Sequence, residues 1–336
     1  MNILIDMPVY EPALKILKEL PGVTVSLVSQ PEEKERPLPK ELIQNCDALL
    51  CTFPPENYTD MSSLKYLQIS SAGYKQLIGK GFEDRNVVAC NALGVFDVPI
   101  AEWNITMMVN LARDVRTMLH HQDEKIWDRS ARFQHEIRGS VVGIWGYGGI
   151  GRETARLAKA LGMTVHVLTR SGIKSREDFY CVDNTGDSDG IMPDKVFLMD
   201  QKDDFLSNLD FLILAIPQTG STEGILGEHE LKLLGKKAFL LNPARGPLVQ
   251  EKGLINALKN NWIAGAALDT HYYYPMPEEH PFWTMDNVIM TPHISGSSSS
   301  PKFLERVYDI FCQNVIRFIG GKPLLNRLSK ADLKGS

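Results

Sequence analysis

One stretch limits the fold of this chain more than any other: Gly146-Tyr147-Gly148-Gly149-Ile150-Gly151, set between the apolar run Val141 to Trp145 and the helix-like Arg152-Glu153-Thr154-Ala155-Arg156-Leu157-Ala158. A G-x-G-x-x-G turn between strand and helix lets the backbone approach a pyrophosphate, whose charge meets free N–H groups and the positive end of the helix. The setting predicts a dinucleotide-binding unit contacted by Gly146, Gly148, Gly149, Ile150 and Gly151.

The rest of the pattern supports that unit and adds a second. Apolar runs at Val141–Trp145, Thr164–Leu168, Phe211–Ile216, Ala238–Leu241, Ala264–Leu268 and Val288–Met290 are six strand candidates with helices between them, as a doubly wound sheet requires. A shorter rhythm precedes them: Ile3-Leu4-Ile5, Val23 to Val28, Ala48-Leu49-Leu50, Tyr66 to Ile69 and Val87-Val88-Ala89. Apolar strands joined by helical crossovers predict parallel sheets. Ile100, Trp103, Met107, Met108, Leu111, Val115 and Met118 recur at steps of three and four and predict one long helix opened by Pro99 and Glu102. Between Ser171 and Asp200 the rhythm lapses into a polar stretch, Asp183-Asn184-Thr185-Gly186-Asp187-Ser188-Asp189-Gly190, which predicts a mobile surface loop. Pro301 opens a final helix with Phe303, Leu304, Val307, Tyr308, Phe311, Val315 and Phe318 on one face, which would cross back to the first body.

With 336 residues, two domains are expected at about 150 residues each. The 36 basic and 41 acidic residues give a charge of 36 − 41 = −5 with no long basic block, which counts against a nucleic-acid partner. Apolar runs are strand-length, far below the roughly 20 residues of a membrane span, and the N-terminus lacks the pattern of a secretory signal, so a cytoplasmic protein without a membrane partner is expected. Five cysteines, Cys46, Cys51, Cys90, Cys181 and Cys312, form no C-x-x-C pair and predict buried, reduced thiols and no metal site.

The second strand of the dinucleotide unit ends in Thr169-Arg170-Ser171, with Lys174 and Arg176 beyond. An NAD site places a carboxylate there for the ribose hydroxyls; a guanidinium flanked by hydroxyls suits a 2′-phosphate. NADP(H) is therefore expected over NAD(H), the other reading being an arginine stacked on adenine or left in solvent.

Asn242-Pro243-Ala244-Arg245-Gly246, Gly265-Ala266-Ala267-Leu268-Asp269, Glu279-His280-Pro281-Phe282-Trp283 and Thr291-Pro292-His293-Ile294-Ser295-Gly296, in this order, resemble the D-isomer-specific 2-hydroxyacid dehydrogenases. The likeness extends from Asn91-Ala92-Leu93-Gly94 through Leu214 to Thr219 and on to the last helix, and the Thr169-Arg170-Ser171 ending is similar to that of NADPH-linked glyoxylate and hydroxypyruvate reductases. The resemblance implies an α/β fold in which a doubly wound Rossmann domain, 98–296, is inserted into a smaller flavodoxin-like domain made of 1–97 and 297–336. It implies hydride transfer from NADPH to a 2-keto acid, giving a D-2-hydroxy acid, and a homodimer formed through the 100–130 helical region. Arg245 matches the arginine that grips the substrate carboxylate and polarises the keto oxygen; His293 matches the acid that protonates it. Asp269 matches the residue that orients the nicotinamide amide. Backbone N–H groups of Ala72-Gly73-Tyr74-Lys75 would hold the carboxylate, and Pro217, Thr222, Pro243, Ala244 and Gly296 would complete the cofactor contacts.

Two positions depart from that pattern. Tyr274 stands where the family carries a glutamate that pairs with the histidine; a phenol can hydrogen-bond an imidazole but brings no negative charge at neutral pH. This keeps open a hydride-only dehydrogenase of the formate or phosphite type, and a dinucleotide-sensing protein of the same fold. Lys75 stands where relatives commonly show aspartate, as either a surface lysine or a cation for a second acidic group on a dicarboxylic or phosphorylated substrate.

Overall fold

The computed structural model describes residues 1–130 and 134–335 and divides into two compact units. The first unit comprises Met1–Phe96, Glu177–Val182 and the chain from Ser298 onward; the second comprises Asp97–Arg176 and Asp183–Ser297.

In the first unit, β1 (Asn2–Asp6), β2 (Thr24–Leu27), β3 (Ala48–Cys51), β4 (Tyr66–Ile69) and β5 (Val88–Cys90) form a parallel sheet in the order β2-β1-β3-β4-β5. That is the flavodoxin-like doubly wound order. Strands β3 and β4 are buried at every position because both faces of the sheet are covered. Tyr66, Leu50 and Ile5 pack with Leu14, Leu17, Phe311 and Val315 of helices Glu11–Glu19 and Pro301–Ile319, while Leu49, Leu67 and Ile69 pack with Ile43 and Phe82.

In the second unit, β6 (Val141–Trp145), β7 (Thr164–Thr169), β8 (Lys195–Leu198), β9 (Phe211–Leu214), β10 (Phe239–Asn242), β11 (Gly265–Leu268) and β12 (Val288–Met290) are again all parallel, in the order β12-β11-β10-β9-β6-β7-β8. Counted from β6, this is the Rossmann order with one strand added. Its switch point lies between β6 and β9, and the glycine turn leaves the carboxyl end of β6 there.

Several expectations need correction. β8 lies between Ser171 and Asp200, where a loop is expected; it is an edge strand with only Phe197 buried, and its short apolar run Val196-Phe197-Leu198 stands in polar surroundings. The long helix is two, Asp97–Ala112 and Val115–Asp123, broken where Asp114 takes a left-handed φ of 50°. The 183–190 stretch is pinned rather than loose: Asp187 is buried, receives the Tyr147 hydroxyl at 2.6 Å and accepts from Ile191 and Met192 N–H, while Glu153 accepts from Gly186 N–H at 2.6 Å. Cys181 is exposed, whereas the other four cysteines are buried.

Residues 177–182, which the sequence reading left in the second body, belong to the first. Tyr180 explains why: it is buried with Val95 and Leu325, its hydroxyl donates to Asp309 at 2.9 Å, and its N–H reaches Asn326 Oδ1 at 3.1 Å. The chain therefore passes between units four times, where two hinge crossings were expected.

A buried polar lattice ties this unit together. Asn314, fully buried, donates to Gln68 Oε1 at 3.2 Å and Leu325 O at 3.1 Å, and accepts from Leu325 N–H at 2.7 Å; Gln68 in turn donates to Asn91 O at 2.9 Å. Replacing Asn314→Ala strands both backbone groups of Leu325 in apolar surroundings, so the unfolding free energy should fall by about 2–4 kcal/mol. A lower urea midpoint checks this; an unmoved midpoint contradicts it.

Candidate active site

Three neighbouring strands end in the chemistry-bearing residues. Arg245 follows β10, Asp269 follows β11 and His293 lies just beyond β12, and these strands are adjacent in the sheet. Groups far apart in sequence thus emerge side by side at the carboxyl edge of the second unit, where open α/β sheets bind ligands.

Asn242, the last residue of β10, sets the Arg245 turn. It is 1% exposed, its Oδ1 accepts from the N–H groups of Ala244 and Arg245 at 3.2 Å each, and its Nδ2 donates to Arg245 O at 2.8 Å. Arg245 projects from this turn with its guanidinium exposed, one nitrogen donating to Ala244 O at 2.6 Å.

Asp269 holds the other turn. Its carboxylate is completely buried and accepts from Thr291 Oγ1 (2.6 Å), Ile294 N–H (2.9 Å), Ser295 N–H (3.0 Å) and Ser295 Oγ (2.5 Å), while its carbonyl accepts from His293 N–H at 2.8 Å. Together these bonds hold His293 at a left-handed φ of 58°, which a side chain seldom adopts without such support. Trp103 adds a further prop, its indole N–H reaching Thr291 Oγ1 at 3.1 Å. Both carboxylate oxygens of Asp269 are therefore engaged by the turn, and the nicotinamide contact expected of it requires one of them to be shared.

His293 carries an exposed imidazole beside two other rings. The Tyr274 ring lies 5.6 Å from it, tilted by 56°, and its hydroxyl accepts from His271 N–H at 3.1 Å. Tyr274 thus meets His293 through its ring; among the described residues no hydrogen bond joins them, contrary to the bond that a phenol could offer. His271 is 8% exposed and sits against Thr291 O at 2.8 Å through Nε2. A carbonyl only accepts, so Nε2 carries the proton, and the buried Nδ1 has no partner. Partial burial, the Arg245 cation and His271 all hold the His293 pKa below its ordinary value, outweighing the opposing pull of Asp269.

The glycine turn fits a dinucleotide. Gly146 has a φ of +99°, and a Cβ on it would come within 2.5 Å of Ala215 O. Gly148 caps the helix Gly149–Ala160, and space for an anion lies open where its Cβ would stand. Gly151 approaches Gly146 O, and Ile150 is in the first helical turn. Thr169 accepts from Gly172 N–H at 2.9 Å, leaving Arg170 and Ser171 exposed at the end of β7. Thr222 closes the loop after β9 by donating to Pro217 O at 2.8 Å. Pro243 is buried, Ala244 half-buried, and Gly296 follows the His293 turn.

In the first unit, the loop after β4 is organised by its own side chains. Asn91 Nδ2 donates to Ala72 O at 2.8 Å, Ser71 Oγ to Gly73 O at 2.7 Å, and Tyr74 turns its hydroxyl to Asp332 at 3.0 Å. Lys75 is exposed at the start of a short 3₁₀ turn. Among the described residues, no group of three or more His, Cys, Asp or Glu side chains is arranged to hold a metal ion.

Residues 105–295 match the model of the D-isomer specific 2-hydroxyacid dehydrogenase NAD binding domain. The chain belongs to that family. It is an oxidoreductase that uses a nicotinamide dinucleotide. A glyoxylate reductase of Thermofilum pendens is 28% identical, over 96% of this chain and 93% of its own. An NADPH-dependent glyoxylate/hydroxypyruvate reductase from Sinorhizobium meliloti shares the fold at a TM-score of 0.73 and 22% identity, over 100% of this chain and 99% of its own. The D-isomer specific 2-hydroxyacid dehydrogenase of Lactobacillus delbrueckii ssp. bulgaricus does so at 0.77 and 21%, over 98% and 99%.

The sequence reading did not single out Asn242, Trp103 or His271. Asn242 opens the motif that carries Arg245 and Trp103 lies on the apolar helix stripe, but neither pattern shows that the side chain orients a neighbouring turn. Asp269→Asn replaces an accepting oxygen with a donor facing N–H and O–H donors, so the His293 turn should shift. Turnover is expected to fall by on the order of 100-fold, with cofactor affinity changed by less than about threefold. A large loss of affinity with turnover retained would instead place Asp269 on the nicotinamide.

Proposed function

We propose that this enzyme reduces a 2-keto acid to the corresponding D-2-hydroxy acid, with NADPH as reductant. The observation that carries the reading is the presentation of Arg245 and His293 from β10 and β12, on the unit whose β6 carries the glycine turn.

Arg245, always charged and able to bind with two prongs, anchors the substrate carboxylate and draws negative charge onto the keto oxygen. The bound nicotinamide supplies the hydride. His293 gives its proton to the oxygen as the charge develops. On the first unit, the N–H groups of Ala72–Lys75 are the remaining carboxylate donors this reading uses, and Lys75 suits a second acidic group on the substrate. At the adenosine end, Thr169, Arg170 and Ser171 suit a 2′-phosphate; the Sinorhizobium meliloti reductase is a complex with NADP, whereas the Lactobacillus enzyme is an NAD complex. Arg170→Ala should abolish a preference for NADPH over NADH. Exposed Met118, Leu119, Ile126 and Trp127 support a homodimer through the 100–130 region, which light scattering would read as twice the chain mass.

Arg245→Gln and His293→Gln should each lower keto-acid reduction by on the order of 100-fold or more. Full activity in either variant overturns the assignment.

The pH dependence follows from the lowered His293 pKa. Reduction requires the protonated imidazole, so the rate falls as pH rises through a pKa below the ordinary histidine value, and the optimum lies on the acid side. Tyr274→Glu adds an anion, raises that pKa and should move the falling limb of kcat/KM to higher pH. An unmoved limb contradicts this account. The uncharged Tyr274 also suits a hydride-only reaction, which oxidation of formate or phosphite by wild-type enzyme would reveal.

A further inference from the structure

The excursion after β7 is fastened to the glycine turn by a buried arginine. Arg152, 4% exposed, donates to the carbonyl oxygens of Lys174, Asp187 and Ser188, and its guanidinium lies over the Tyr147 ring at 5.0 Å from the centroid. Arg176 N–H reaches Ser188 O at 3.2 Å, so Arg176 is held inside this fastened segment. Its guanidinium thereby arrives at the start of the helix Gly149–Ala160: a Cβ on Gly149 would lie 2.6 Å from Arg176 Nη1 and would overlap the Asp97 carboxylate. Arg176 Nη1 and Asp97 Oδ2 are 4.0 Å apart, and both side chains are largely buried, at 18% and 14% exposed.

An anion and a cation are thus packed against the turn that receives the pyrophosphate. The free N–H groups and positive end of the helix favour negative charge there. A carboxylate satisfies that preference in part, but the same charge repels an arriving pyrophosphate. The guanidinium suits either anion, and phosphate better, since two parallel N–H donors match two phosphate oxygens.

We propose that Arg176 is a cofactor-binding residue that contacts the pyrophosphate, and that Asp97 is the anion the pyrophosphate displaces. This assigns Arg176 to the phosphate bridge, not to the 2′-phosphate end where its place after Thr169-Arg170-Ser171 would put it. Gly149 is a glycine because any side chain there would evict Asp97.

The inference rests on dinucleotide binding by the wild-type chain, and fluorescence titration with NADPH and NADH, with ADP-ribose as competitor, separates the two. Arg176→Gln should weaken NADPH, NADH and ADP-ribose by a common factor of about 10 or more, because all three carry the pyrophosphate; Arg176→Lys should recover part of the loss. Asp97→Asn should tighten all three about threefold or more, since the competing charge is gone. Weakening of NADPH alone would move Arg176 to the 2′-phosphate and overturn the proposal, as would unchanged binding in Arg176→Gln or weaker binding in Asp97→Asn. Circular dichroism of both variants must match wild type, and Arg176→Lys keeps the test valid should Arg176→Gln misfold. A wild-type chain that binds no dinucleotide defeats the functional reading itself.

Discussion

The half-site on the second unit depends on one buried carboxylate. Asp269 sits at the end of β11, fully buried, with each oxygen accepting from two donors of the turn that follows β12. A buried carboxylate without such partners is costly, so the turn and the acid stabilise each other. The consequence is His293 held in a backbone conformation it would not otherwise keep, one strand away from Asp269 and two from Arg245. Asn242 does the same for Arg245 with a neutral amide.

The electrostatics of that edge are unusual for the acid role proposed for His293. Arg245 and His271 push His293 toward its neutral form, and Tyr274 offers an aromatic face where a carboxylate would oppose them. Desolvation acts in the same direction. The chain carries a net charge of −5, yet the groups that the proposed function assigns to anions, Arg170, Arg176 and Arg245, are cations placed locally at strand ends and turns. Steering of an anionic substrate then comes from the site, not from the protein's overall field.

Much of this was legible in the sequence. Eleven of the twelve described strands follow from apolar runs, because most of these parallel strands are covered on both faces, the edge strand β2 being mostly exposed. The glycine turn, Arg245, Asp269 and His293 could be named from motif order. β8 escaped although Val196-Phe197-Leu198 is apolar, because the polar stretch around it reads as loop, and the break at Asp114 because one left-handed residue leaves the apolar period intact. The passage of residues 177–182 into the first unit escaped for a different reason. Tyr180 finds its partners, Asp309 and Asn326, over 100 residues later, and no local pattern records such a contact. Trp103, whose partner Thr291 lies far along the chain, escaped for the same reason, whereas Asn242 bonds its own turn and His271 bonds Tyr274 and Thr291, contacts that residue type and spacing do not mark.

Stereospecific transfer of deuteride is the most direct test of the account. Enzyme supplied with NADPH deuterated at nicotinamide C4 and a panel of 2-keto acids, including dicarboxylic ones, should yield a 2-hydroxy acid of D configuration with deuterium at C2. An L product, product without deuterium, or no consumption of NADPH with any keto acid across the acid and neutral range would contradict it.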